Sequence, residues 1–398
     1  MISVAEALAR VTADLMPLPA EEVPVTEAGG RVLAADLAAR LTQPPFSASA
    51  MDGYAVRAKD VERLPANLKL LGEAAAGHPF AGSVGASEAV RIFTGAAVPS
   101  GADLVVIQEN TRREGAHVAI ESLSREDFIR PAGGDFREGD VLLRAGRRLT
   151  SRDVLLAAQM NYPELRVRRR PVVAVLASGD ELQPPGSALT GGEIFSSIPA
   201  GLKGLIENAG GEPLLLGIAR DTMESLAGAI ARAADADILL TIGGASVGEH
   251  DLVRRALEAA GFAIDFQNIA MRPGKPLMYG RRGAQRALGV PGNPVSAMLC
   301  SALFLRPMLA RLLGEDPPRR AAQYARLAAP LEGNGQRQHF MRASLGFGSG
   351  GEMTATPLPS QDSSLVSALA AADCLIVRAP GAPPAAAGDF VEIMPLDF

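Results

Sequence analysis

Cysteine is nearly absent from this 398-residue chain: Cys300 lies in a helical apolar run and Cys374 in a strand-like one. Two thiols in such different settings give neither a metal knuckle nor a disulfide framework, and both read as core thiols of a reducing compartment. Lysine is almost as scarce, with Lys59, Lys69, Lys203 and Lys275 set against 35 arginines. Where arginine fills nearly every cationic role, a lysine is either a chance retention or a place where a compact ammonium matters. Lys275 is the one to follow. Residues 1–16 carry Glu6 and Asp14 in place of the basic-then-apolar layout of an export signal, and no apolar run reaches the roughly 18 to 20 residues of a membrane span. A soluble, cytoplasmic protein with no membrane partner is expected. Net charge of -5, with arginines scattered among acids, argues against a nucleic-acid surface and requires any anion site to be focal. No G-x-x-x-x-G-K-[ST] occurs, and no G-x-G-x-x-G joins a predicted strand to a predicted helix, so kinase-like and hydride-transfer readings lose their main support.

The length exceeds what one hydrophobic core usually organises, so two to four domains are expected, and 47% hydrophobic residues supply their cores. Residues 3–16 open with Ser3-x-x-Glu6 and place Val4, Ala7, Leu8, Val11 and Leu15 on one stripe, the pattern of a capped amphipathic helix. Thr150-x-x-Asp153 starts a second helix of the same design over 154–160. Between them, after Gln43-Pro44-Pro45, short alternating segments at 90–92, 104–107 and 117–120 are broken by glycine and proline, which predicts an inserted, mostly β module over 45–135.

From Pro171 strands and helices alternate: strand 172–177, helix 198–208, strand 213–219, helix 223–234, strand 238–242, helix 251–260, then strand candidates at 277–279 and 287–290. This grammar predicts an α/β domain over 171–317 with a mostly parallel sheet. Asn293 is placed to cap a long helix that begins at Pro294 and runs to Leu313. The remainder, 318–398, returns to short strands and predicts a compact β domain. Residues 1–44 and 136–170 together form the fourth unit.

Ligands of an open parallel sheet sit beyond the carboxyl ends of its strands, and the polar residues fall there in succession. Ser178-Gly179-Asp180-Glu181 follows the first strand, Arg220-Asp221 the second, and Pro291-Gly292-Asn293 a later one. After the third comes Thr241-Ile242-Gly243-Gly244-Ala245-Ser246-Val247-Gly248-Glu249-His250-Asp251, a glycine-dense turn ending on a carboxylate. Glycines 243, 244 and 248 permit positive φ and bring bare N–H groups close to an anion, while Asp251 is placed to face a metal or a water. A tight turn packed on a strand would also want glycine, and Asp221 alone would serve as a helix cap. Arg272-Pro273-Gly274-Lys275-Pro276 adds two cations on a proline-stiffened segment, either an oxyanion clamp or a solvated turn.

With these residues in view, the chain resembles the molybdopterin molybdenumtransferases of the MoeA type, relatives of the gephyrin E domain. The likeness runs through Ser49-Ala50-Met51-Asp52-Gly53-Tyr54-Ala55-Val56, Phe93-Thr94-Gly95-Ala96, Ser178-Gly179-Asp180-Glu181-Leu182, the 241–251 turn, Met271-Arg272-Pro273-Gly274-Lys275-Pro276 and Pro291-Gly292-Asn293-Pro294-Val295-Ser296. It implies a molybdopterin-binding α/β domain, an inserted β module, an elongated helical and β linker domain and a small barrel-like C-terminal domain. The implied reaction inserts molybdate into adenylylated molybdopterin, with Mg²⁺-dependent release of AMP, as the last step of molybdenum cofactor synthesis.

The resemblance also implies a homodimer with a cleft shared between subunits, to which a molybdopterin adenylyltransferase could deliver substrate. Asp52, Thr94 and Asp135 would line that cleft from the second subunit, and Glu181, Asp221 and Asp251 would hold Mg²⁺ from the sheet rim. Gly243, Gly244, Ser246 and Gly248 would receive phosphate, with Pro291, Gly292, Asn293 and Ser296 alongside. Arg272, Lys275, Arg342 and Ser363 would bind molybdate or pterin polar groups. Competing readings are a molybdopterin adenylyltransferase, which would have little use for residues outside 171–317, a non-catalytic scaffold that kept the fold, and a general nucleotide hydrolase.

Overall fold

The computed structural model describes residues 1–243, 252–315 and 322–398. The N-terminal helix α1 (Val4–Thr12) forms as its apolar stripe requires, with the Ser3 hydroxyl accepting the Glu6 N–H at 3.0 Å. Glu6 pairs with Arg10 one turn on, at 2.6 Å. Ala7, Val11 and Leu15 are buried in the core of the α/β unit. The second helix, α2 (Ser151–Gln159), carries a complete capping box between Thr150 and Asp153. It packs over the antiparallel pair Ala20–Pro24 and Glu164–Arg168 around a core that includes Leu33, Leu149, Met160 and Leu165.

The inserted module is a six-stranded sheet, ordered Leu104–Ile107, Gly53–Val56, Glu88–Ile92, Ala66–Ala74, His117–Ile120 and Thr111–Glu114. Its strands alternate between two small cores: Tyr54 and Val56 enter one, Ala55 and Val90 the other. Gly53 is required because a Cβ there would lie 2.0 Å from the Val106 carbonyl oxygen of the neighbouring strand.

The α/β unit comprises β1 (Val172–Ser178), α3 (Ile198–Asn208), β2 (Glu212–Ala219), α4 (Met223–Arg232), β3 (Ile238–Ile242), α5 (Leu252–Ala259), β4 (Ala263–Gln267), β5 (Met278–Arg282), β6 (Gln285–Val290) and α6 (Pro294–Leu312). Sheet order is β2-β1-β3-β6-β5-β4, with the first four strands parallel. Both faces of β1 are covered, Val173, Val175 and Ala177 facing α3 and α6, Ala174 and Leu176 facing α4 and α5, which is why it reads as an unbroken apolar run. The strand β4 has no such signature because it forms the mostly exposed edge. It pairs antiparallel to β5, and β5 antiparallel to β6. Thus β4 points the same way as the parallel strands.

Three expectations need correction or refinement. Asn293 occupies the N-cap position of α6 but its side chain makes no capping bond. Its Nδ2 donates instead to Ser363 Oγ at 2.9 Å, while the Ser363 carbonyl accepts the Val295 N–H at 3.1 Å, so a C-terminal segment closes the helix end. Secondly, α6 is not uniform: Ser301–Leu305 widens into a π-turn just before Pro307, which has no N–H to give to the ladder. Thirdly, the helix Pro294–Leu312 has the length and apolarity of a membrane span by composition, although no uninterrupted apolar run does. Its apolarity is explained by packing, since 61% of it is buried and Val295, Leu299, Phe304 and Leu309 fill the core.

The C-terminal strands close on themselves in the order Gln338–Phe347, Met353–Pro357, Gln323–Leu327, Phe390–Pro395 and Cys374–Arg378, with the last pairing back to the first. This is the small barrel. The pair Met271–Arg272 runs parallel to Gln338 and His339, joining the barrel to the α/β unit.

Candidate active site

A cavity of about 860 Å³ opens at the carboxyl edge of the α/β sheet. Its wall takes Ser178, Gly179 and Glu181 from the end of β1, Asp221 from beyond β2, Gly243 from β3, and Pro291, Gly292 and Asn293 from beyond β6. Lys275 and Pro276 enter from the loop between β4 and β5. Because β4 runs with the parallel strands, that loop also emerges on the carboxyl edge. Three of the loops predicted to share one rim therefore do so, together with Gly243 at the start of the fourth and the lysine segment.

Local geometry explains the residue types. Gly243 has φ +86°, and a Cβ there would lie 3.0 Å from the Ser178 carbonyl oxygen. Gly292 packs against it, the position of its missing Cβ being 3.7 Å from Gly243 Cα. These glycines leave a bare backbone floor between β3 and β6, the kind of surface that an oxyanion can approach.

Carboxylates gather at the other wall. The Asp221 carboxyl is raised above the ordinary carboxylate range, first by partial desolvation and then by repulsion from Asp180 and Glu181. Arg220 lies 3.9 Å from Asp180 across exposed surface. Repulsion of this kind around Asp221 suits a bound cation, which would relieve it. Among the described residues no group of three His, Cys, Asp or Glu converges as a finished ligand set. Gly244, Ser246, Gly248 and Asp251 lie outside the described residues.

Other candidates stand apart from the cavity. Ser296 is buried within α6, and Ser363 is bonded to Asn293, whereas Ser364 lines the wall. Arg342 is 1% exposed, and its Nη2 donates to the carbonyls of Ser360 and Asp362, shaping the 360–364 loop that delivers Ser364. Arg272 is exposed beside His339. Asp52 and Thr94 meet in the inserted module, where Thr94 donates both its N–H and its hydroxyl to Asp52 Oδ1 at 2.8 Å. Those bonds, with Arg91 nearby, hold the Asp52 carboxyl below its usual range. Asp135 is exposed, its N–H donated to the Gln43 carbonyl.

Asn268 and Phe195 are wall residues that no motif singled out. Ser178 was visible as a strand end. Asn268 carried no sequence signal, because β4 was not recognised.

Residues 2–160 match the MoeA N-terminal region (domain I and II), residues 174–311 a probable molybdopterin binding domain, and residues 324–396 the MoeA C-terminal region (domain IV). Over 385 residues the chain is 34% identical to a molybdopterin molybdenumtransferase of Haemophilus influenzae, spanning 96% of this chain and 95% of that one. The chain belongs to the MoeA-type molybdopterin molybdenumtransferase family. A Bacillus subtilis member is 32% identical over 403 residues, covering 99% of this chain and 94% of its own. Among solved structures, a molybdopterin biosynthesis MoeA protein from Pyrococcus horikoshii superposes with a TM-score of 0.84 at 26% identity, each chain covered completely. The family likeness thus takes in the inserted module and the barrel as well as the α/β unit.

Proposed function

We propose that this protein transfers molybdenum from molybdate into adenylylated molybdopterin with Mg²⁺-dependent release of AMP, completing molybdenum cofactor synthesis in the cytoplasm. One observation carries the reading: the glycine floor at Gly243 and Gly292, the acids Glu181 and Asp221, and Lys275 share a single cavity. An adenylyltransferase would need only the α/β unit, whereas relatives named for molybdenum transfer match nearly the whole chain.

In this reading the backbone at Gly243 receives the phosphates, and Lys275 faces the oxyanion at the dithiolene end of the substrate. Glu181 and Asp221 would hold Mg²⁺ through oxygen ligands, and the ion when bound would neutralise charge on the phosphoanhydride. Water, or a molybdate oxygen whose mixed anhydride water then hydrolyses, attacks the adenylyl phosphorus; the phosphoanhydride bond breaks, the pterin keeps its terminal phosphate, and AMP leaves. A carboxylate at this wall can also orient the attacking oxygen.

Asp52 and Thr94 flank strands of a different sheet, Asp135 lies in a turn bonded to Gln43, and none of the three lines this cavity. We assign them to the cleft of a second copy in a homodimer, where Asp52 would present a fixed anion. Incubating the protein with adenylylated molybdopterin, Mg²⁺ and molybdate should yield AMP and molybdenum cofactor in equal amounts. AMP formed at the same rate from plain nucleotides, or pyrophosphate formed from ATP and molybdopterin, would overturn the assignment.

A further inference from the structure

We infer that Asn268 is a substrate contact that accepts a hydrogen bond from the pterin ring. The inference rests on the reading that Lys275 marks the dithiolene end of the substrate. Asn268 directly follows β4, and its own N–H donates to the Leu277 carbonyl at 2.9 Å. The next residue, Ile269, donates its N–H to the Lys275 carbonyl at 2.9 Å, so Asn268 and Lys275 face each other across one short loop. Both line the cavity.

Two features of Asn268 lack a structural purpose. Its φ is +72°, a left-handed conformation that asparagine tolerates and most side chains do not. Its Oδ1 is buried yet has no hydrogen-bond partner among the described residues. An unpaired buried acceptor on a cavity wall calls for a donor from the ligand.

The chemistry of the substrate selects the donor. Phosphate and molybdate oxygens are themselves acceptors and cannot satisfy a carbonyl oxygen, which leaves the ring N–H and amino groups of pterin or the ribose hydroxyls and amino group of adenosine. Position separates these two. The phosphate floor is at the end of β3, and β6 and β5 intervene before β4, a lateral offset of roughly 14 Å at about 4.8 Å per strand. Adenine lies beyond the phosphates, whereas pterin is fused to the dithiolene end that Lys275 faces. Asn268 therefore meets the pterin.

The test measures binding to the full-length protein by anaerobic equilibrium dialysis, with metal-free molybdopterin, AMP and molybdate as separate probes. Asn268→Gly keeps the left-handed backbone and removes the amide. It should weaken molybdopterin about five- to tenfold, the worth of one neutral hydrogen bond, while AMP and molybdate stay within about twofold. Asn268→Asp retains acceptor oxygens at the same φ and should hold molybdopterin within about threefold. Unchanged molybdopterin binding in Asn268→Gly, equal losses for all three probes, or a loss in Asn268→Asp as large as in Asn268→Gly would each overturn the inference. Normal transferase turnover with unaffected molybdopterin binding in Asn268→Gly would sink this inference alone. A wild-type protein that binds no molybdopterin would remove the functional reading beneath it.

Discussion

His339 offers a stability prediction whose size follows from its surroundings. It is 8% exposed on the barrel strand that pairs with Arg272, and its pKa is pushed down to about 4, first by desolvation and then by Arg272, Arg337 and Arg342. The unfolded chain should titrate this imidazole near its ordinary value of about 6.5. Between those values the unfolded state binds a proton that the folded state refuses, so stability present above about pH 6.5 is lost as pH falls toward 4. At pH 5 the linkage amounts to about 2 kcal/mol, from 1.36 kcal/mol per pKa unit. His339→Gln removes the titration and should flatten the fall.

The assay compares denaturant unfolding of wild type and His339→Gln at pH 7 and pH 5, in a range where low-pKa carboxylates such as Asp52, Asp153 and Asp362 remain ionised in both proteins. With only four histidines in the chain, the His339 ring proton can also be followed directly by NMR. An equal pH dependence in the two proteins, or a measured His339 pKa near 6.5, would refute the reasoning.

Gly53→Ala should cost about 3 kcal/mol or more, because the added methyl meets the Val106 carbonyl at 2.0 Å; a melting temperature within a degree of wild type would contradict the close approach. Burial lifts Cys300 to about 12 and Cys374 to about 11, so neither thiol should react with an aromatic disulfide reagent at pH 8 until denaturant is added. Stoichiometric labelling of the native protein would show otherwise. Asp221→Asn should lower AMP release at least about 100-fold while leaving the circular dichroism spectrum unchanged, and retained release would take Asp221 out of the reaction. Lys275→Ala should raise the molybdate concentration needed for half-maximal turnover more than it weakens pterin binding; a titration in the reverse order would refute that role.

Local chemistry in the sequence determined most of the helices and the buried strands. The capping box at Thr150 and Asp153 and the two-sided apolar run of β1 each follow from neighbours within a few residues, so periodicity and spacing were enough to read them. Tertiary structure alone decided what depends on distant partners. The direction of the exposed edge strand β4 places Lys275 and Asn268 on the cavity rim, and no local pattern encodes the direction of an edge strand. The Asn293 side chain turns from its helix to Ser363 because the barrel loop, some 70 residues on, supplies the closing carbonyl. Arg342 spends its charge shaping that loop, a role visible only once the barrel has closed around it.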